Sequence, residues 1–314
     1  MKPVFKRTSK VVFFGTPDFA VPILEAICAS GRSVQMVITQ PDRKGGRGNR
    51  ILVPAVKQTA ITLGIPVLQP EKIKSESFMN SLRDEMNSIF VVAAFGRILH
   101  QELIDIPYRI LNVHASILPR WRGAAPIARA IMNGDKRTGV SVMKIVRELD
   151  AGPTMLKKDI DIDKNDTTGT LTHRLAILGA QSIIEALNLV DLEKDHFLEQ
   201  DSSQATYASP IENEEAQIIW NKPAEFIHNQ VRALQPSPGA YTTDCSKRLK
   251  IHQTRLTKLV ADKPPGSLKV AETALFVATQ DRWLEIIELQ REGKARQLAT
   301  SFLQGYNTTH KTWS

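Results

Sequence analysis

The stretch "KVVFFGTPDFAVPILEAICAS", residues 10–30, sets the architecture. "KVVFFGT" (10–16) is short, rich in β-branched and aromatic residues and almost continuously apolar, as a strand buried on both faces must be. Pro17 suits a first helical turn and Gly31 a stop, so the spacing predicts a helix over 17–30. A buried strand that gives way to a helix within a few residues is the first half of a parallel β-α-β unit. The same rhythm recurs downstream. "SVQMVITQ" (33–40), "SIFVVAAFG" (88–96) and "ILNVHAS" (110–116) read as further buried strands, with helices at 53–63 and 75–83. Two more strands, "VSVMKIV" (140–146) and "TMLKKDIDI" (154–162), precede a long helix over about 167–189. Strands alternating with helices predict an α/β, Rossmann-like domain with a mostly parallel sheet. Such sheets bind ligands beyond the carboxyl ends of their strands.

The pattern changes near residue 190. "DLEKDHFLEQDSSQATYASPIENEEA" is polar and periodless, and reads as a linker. After it, "PAEFIHNQVRAL" has a helical pattern. "GAYTTD", "RLKIHQTRL" and "ALFVATQDRWLEIIELQ" then follow as strands separated by turns such as "DKPPGS". That order predicts a small C-terminal antiparallel β-barrel, OB-like in size. The expected division is a catalytic domain over 1–190, a linker over 191–208 and a barrel domain over 209–314.

Composition narrows the function. The chain has 314 residues, enough for two domains, and its 24% charged content excludes a fibrous or disordered class. No apolar run is long enough for a membrane helix. "MKPVFKRTSK" lacks the apolar core of a secretory signal, so a bacterial cytoplasm is the expected compartment. Cys28 and Cys245 lie far apart with no CxxC partner, which gives no support for a disulfide framework or a zinc site. The net charge of +8 raises the prospect of a polyanionic partner. The excess is concentrated early, with 27 Lys+Arg against 21 Asp+Glu through residue 200.

Three segments carry chemistry. "FFGTPDFA" follows the first strand, where a dinucleotide site needs three glycines, but it has only Gly15. "KGGRGNR" lacks the Gly-Lys-Ser/Thr of a Walker loop. Nicotinamide and nucleoside-triphosphate chemistry are therefore disfavoured. In "NVHASILPRWRGAAPI" (112–127), Asn112 and His114 flank Val113, so both project from one face of a strand end. An amide donor beside an imidazole suits a carbonyl that becomes an oxyanion; a capped strand end with a satisfied core histidine is the competing reading. Asp150, in "ELDAGP", serves either as a turn cap or as a carboxylate that orients His114. "QPDRKGGRGNR" (40–50) places Arg43, Lys44, Arg47 and Arg50 on a glycine-rich loop, either solvated or tracking a nucleic-acid backbone. Trp121, between Arg120 and Arg122, is either a packing residue or a platform for a base.

Together these segments resemble the folate-dependent formyltransferases, and among them the methionyl-tRNA formyltransferases. "FFGTPDFAVPIL", "TQPDRKGGRG", "VHASILPRWRGAAPIARAI", "GVSVMKI", "LDAGP" and "RALQPSPGA" occur in the family's order across almost the whole chain. The resemblance implies transfer of the formyl group of 10-formyltetrahydrofolate to methionine on initiator methionyl-tRNA, without a metal. It makes Asn112, His114 and Asp150 the catalytic set. Ser116, Ile117, Leu118 and Pro119 become the folate-binding loop, and Phe95, Gly96, Arg97, Ile98 and Leu99 the lining of the pteridine pocket. Arg43, Lys44, Arg47 and Arg50 become the tRNA-binding arm, with the C-terminal domain also on tRNA, and a monomer is expected. Ala115 and Ile117 stand where the family commonly has Gly and Leu, and Arg97 where it usually has an uncharged residue. A formyltransferase acting on an amino sugar nucleotide is the nearest alternative, and the basic loop speaks against it. A non-catalytic RNA-binding protein would have no use for Asn112, His114 and Asp150 together.

Overall fold

The computed structural model describes residues 9–45, 50–306 and 312–314. Up to residue 161 the strands are β1 (Val11–Gly15), β2 (Val34–Ile38), β3 (Arg43–Gly45), β4 (Arg50–Leu52), β5 (Val67–Leu68), β6 (Ile89–Ala93), β7 (Arg109–His114), β8 (Arg122–Gly123), β9 (Arg137–Lys144) and β10 (Thr154–Asp161). Between them lie α1 (Val21–Ala29), α2 (Ala55–Thr62), α3 (Glu76–Leu82), α4 (Gln101–Ile104) and α5 (Pro126–Met132), and α6 (Thr168–Asp191) follows. Seven strands form one sheet in the order β10-β9-β7-β6-β1-β2-β5. β7, β6, β1, β2 and β5 run parallel, and β9 is antiparallel to β7. The mostly parallel α/β sheet expected from the strand-helix rhythm is therefore present.

Continuous hydrophobicity put these strands in the middle. Every residue of β1 and of β6 is buried. Phe14 sits against Phe90 and meets Phe95 edge-on at 5.5 Å between ring centroids, within an apolar cluster that also holds Ile38, Leu82 and Leu103. Gly15 is needed where the end of β1 closes on its neighbours. A Cβ there would come within 2.8 Å of the Ala20 Cβ and 3.1 Å of the Ala93 carbonyl oxygen.

The chain divides into two compact units. The first comprises residues 1–126, 137–160 and 172–208, and the second 127–136, 161–171 and 209–314. The second unit adds β12 (Tyr241–Asp244), β13 (Lys247–Val260), β14 (Leu268–Ala271), β15 (Ala274–Ala278), β16 (Arg282–Arg291) and β17 (Gln297–Leu298), preceded by β11 (Tyr207–Ala208) in the first unit. Its helices are α7 (Ala224–Ala233) and α8 (Ala299–Leu303). The strands pair as β12-β13-β16-β15-β14, with β17 on β16, in a small antiparallel β domain. The fourteen-residue β13 carries register shifts at Ile251/Gln253 and Leu256/Val260 that bend it. "ALFVATQDRWLEIIELQ" is a hairpin and not one strand. Its turn is closed by Thr279, whose N–H and hydroxyl both donate to the Arg282 carbonyl.

The polar stretch after α6 is fixed in place by backbone pairing and by side chains. Leu198 bridges to Thr154, Asp195 pairs with Arg109 at 2.8 Å, and β11 pairs in parallel with β8. Among the described residues no helix is long and apolar enough to cross a membrane.

Asp191 ends α6 and binds Arg32 at 2.8 Å, with both side chains almost wholly buried. Ser9 also donates to this carboxylate, through its N–H and its hydroxyl. Removing one member of such a pair strands the other charge out of water. Asp191→Ala is expected to destabilise the first unit by about 3–5 kcal/mol, read as a lower urea midpoint; an unchanged midpoint would show that Arg32 finds other partners.

Candidate active site

Three segments converge in the first unit: the end of β7, the loop that follows it, and the turn between β9 and β10. Asn112 is half-buried and His114 buried, on the same face of β7, opposite Met143 and Ser141 of β9. The 150–153 turn brings Asp150 to that face, where its Oδ2 lies 3.6 Å from His114 Nδ1. Sequence spacing alone could not bring these residues together; the β9–β10 return does so.

The imidazole is oriented from its other side. His114 Nε2 is 2.9 Å from the Trp121 carbonyl oxygen. A carbonyl only accepts, so Nε2 carries a proton and Nδ1 is the nitrogen left facing Asp150. At 3.6 Å the His114–Asp150 separation is too long for a direct hydrogen bond. Both atoms therefore remain open to a third polar group. Asp150 is held by its Oδ2, which accepts from the Gly123 N–H at 2.8 Å. Its backbone is left-handed, with φ 49°, an uncommon state for a residue with a Cβ. Two residues on, Gly152 is obligatory: a Cβ there would lie 1.9 Å from the Lys144 carbonyl oxygen.

The loop after β7 is held from several directions. The Ser141 hydroxyl accepts from the Leu118 N–H at 3.0 Å and donates to the Ser116 carbonyl at 2.7 Å. Ser116 donates to the Arg120 carbonyl. Ile117 and Pro119 are half-buried, so this loop presents a partly apolar surface. Trp121 has φ 63°, is half-buried, and has the Arg120 guanidinium 4.6 Å above its ring. Its N–H donates to Thr206 Oγ1 at 2.9 Å. The Trp121 carbonyl, the Gly123 N–H and Thr206 are parts of the site that residue types alone did not reveal.

The 95–99 loop leaves β6 beside β1. The Phe95 side chain lies in the core, and its carbonyl accepts from Thr16 and Gln40. Gly96 has φ 75°, and Leu99 is buried while Ile98 is 81% exposed. Arg97 donates to the Pro70 and Glu71 carbonyls, at 3.0 and 2.9 Å, which ties the loop to the segment after β5.

The basic segment forms a hairpin of β3 and β4, on which Arg43, Lys44 and Arg50 are exposed; Arg47 lies outside the described residues. Asp42 is taken by Lys57 at 2.7 Å and by Gln69, which hold its carboxyl below the usual carboxylate range. Among the described residues no three His, Cys, Asp or Glu side chains gather as a metal site.

Comparison with known proteins agrees with this architecture. Residues 9–187 match the model of the formyl transferase family, and residues 210–307 that of the formyl transferase C-terminal domain. The methionyl-tRNA formyltransferase of Moorella thermoacetica is 45% identical over 299 residues, covering 95% of this chain and 96% of the relative. That of Caldanaerobacter subterraneus is 40% identical over 305 residues, covering 96% and 99%. Among solved structures, an N-formyltransferase from Helicobacter canadensis, in complex with folinic acid and dTDP-3-aminofucose, superposes with a TM-score of 0.68. It is 20% identical, with 90% of this chain and 99% of that chain covered, a likeness of fold. With both halves matched and identity sustained from end to end, this chain belongs to the methionyl-tRNA formyltransferase family.

Proposed function

We propose that the protein transfers the formyl group of 10-formyltetrahydrofolate to the free amino group of methionine on initiator methionyl-tRNA, with Asn112, His114 and Asp150 as catalytic residues. The observation that carries this reading is the meeting of Asn112, His114 and Asp150 at the end of β7, in a chain 45% identical to a methionyl-tRNA formyltransferase. The bacterial sources of its relatives support a bacterial cytoplasm as its place.

In the reaction the amine lone pair attacks the formyl carbon and the carbonyl π pair moves to oxygen. Asn112 and His114 donate to that oxyanion, which stabilises charge present only near the transition state. Asp150 faces the same space and accepts a proton from the attacking nitrogen. Collapse restores the carbonyl and breaks the bond to N10 of the folate, which takes up the proton that Asp150 accepted and leaves as tetrahydrofolate, and the amide product is released. Ser116, Ile117, Leu118 and Pro119 hold the folate on one side, and the 95–99 loop holds it on the other. Ile98 offers it apolar surface, and Arg97 acts by keeping that loop against residues 70 and 71. Arg43, Lys44, Arg47 and Arg50 meet phosphates of the tRNA, and the C-terminal β domain meets the tRNA as well. The decisive assay is incubation with 10-formyltetrahydrofolate and charged initiator tRNA. Formyl-methionyl-tRNA is the expected product; formylation of a dTDP-amino sugar in its place would overturn the reading.

Asn112→Ala and His114→Ala are each expected to lower kcat by about 10²-fold or more with tRNA affinity nearly unchanged. Near-normal single-turnover rates would remove that residue from the oxyanion role. Asp150→Asn keeps the volume but loses the base, and a fall of about 10²–10⁴ in kcat is expected. Retained turnover with an unaltered pH–rate profile would reduce Asp150 to a turn cap.

For the basic hairpin, the measurement is tRNA affinity across a salt series. Replacing Arg43, Lys44, Arg47 and Arg50 with Ala is expected to weaken binding and to flatten the log–log salt slope by roughly 0.7–0.9 for each phosphate no longer neutralised. Folate binding is expected to survive. Equal affinities with parallel slopes would show that the hairpin is only solvated.

A further inference from the structure

The polar stretch after α6 contributes one side chain whose hydrogen-bonding capacity is spent on the site. Gln200 Nε2 donates to the carbonyl of Asp150 at 2.8 Å and to that of Gly152 at 2.7 Å. Its Oε1 accepts from Arg122 Nε at 3.1 Å and Nη2 at 3.0 Å. Two donors and two acceptor sites are all a glutamine amide has. Its orientation is set by chemistry, because carbonyls only accept and a guanidinium only donates. Arg122 is 1% exposed, so the amide oxygen is also a main partner of a charge held out of water.

We propose that Gln200 is a positioning residue for formyl transfer, acting through Asp150. Asp150 sits in a left-handed backbone state, and its carboxylate reaches His114 only while that turn keeps its shape. Gln200 grips the turn at Asp150 and Gly152 and joins it through Arg122 to the loop that follows β7. Gly123, next to Arg122, supplies the N–H that binds the carboxylate itself. The carboxylate is thus aimed from both ends: its backbone through Gln200, and its oxygen through a residue adjacent to the one Gln200 holds. Released from Gln200, the Asp150 and Gly152 carbonyls lose the donor they share, and the turn is free to rotate Asp150 away from His114. The assignment rests on the catalytic reading of Asp150 given above.

Gln200→Glu is the informative variant. It keeps an oxygen for Arg122, which also has the Glu148 carboxylate 3.5 Å from its Nη1, but it turns its other oxygen toward the two carbonyls that Nε2 had served. The expected result is kcat lowered about 10-fold or more, KM for 10-formyltetrahydrofolate and for charged tRNA within about threefold of wild type, and a thermal midpoint that stays well above the assay temperature. Gln200→Leu, which withdraws both halves of the amide, is measured beside it. Should Gln200→Leu fail to fold, Gln200→Glu alone decides. The second readout is a double-mutant cycle. If Gln200 works through Asp150, Gln200→Glu added to Asp150→Asn lowers kcat less than about twofold further. Wild-type kcat in Gln200→Glu, or full additivity with Asp150→Asn, overturns the proposal. Full activity of Asp150→Asn alone overturns the catalytic reading of Asp150, and Gln200 falls with it; that variant leaves Gln200 intact, so the two failures are told apart.

Discussion

A backbone that leaves a buried strand carries its N–H and C=O groups away from the sheet, and each must find a partner. The chain that leaves β7 at His114 is neither helix nor sheet for most of the next eleven residues. Its partners come from far along the sequence: Ser141 serves Ser116 and Leu118, Thr206 serves Trp121 and Arg122, and Asp150 serves Gly123. The geometry of the candidate site is a by-product of satisfying these groups. His114 is turned by the Trp121 carbonyl, and Asp150 is aimed by the Gly123 N–H, so the loop and the site are one hydrogen-bonded object. Its rigidity suits a reaction whose acceleration comes from dipoles already pointing where charge develops.

Electrostatics divides the labour differently. The site itself holds one carboxylate beside one imidazole and, on the neighbouring loop, a buried arginine shared between the Gln200 amide and the Glu148 carboxylate. Part of the chain's positive excess is displayed elsewhere, on an exposed hairpin whose adjoining acid, Asp42, is already committed to Lys57. Under the reading proposed above, the charge at the site is buried and shared among fixed partners, while the exposed cations of the hairpin would draw a polyanion.

The sequence showed those features that have a period. Continuous apolar runs located β1, β2, β6 and β7, and the period of two put Asn112 and His114 on one face from the order of residues alone. The helix over 224–233 was plain from its pattern for the same reason. Features made by single long-range hydrogen bonds have no period and left no trace. Gln200 and Thr206 lie in a stretch whose composition matches any solvated linker, and only the fold reveals that their side chains are engaged. The turn within 274–290 was missed because Thr279 closes it with a hydroxyl, without glycine or proline to mark it.

That stretch has a mechanical consequence. Composition sets the end of the catalytic domain near residue 190, but the first compact unit runs through Ala208. Ala208 pairs with Gly123, and the Gly123 N–H binds the carboxylate of Asp150. Gln200 and Thr206, just upstream, grip the turn and the loop on either side of it. The last residues of the first unit are therefore hydrogen-bonded to the loop and the turn that hold His114 and Asp150, so a change made in this polar stretch reaches both of them through backbone partners.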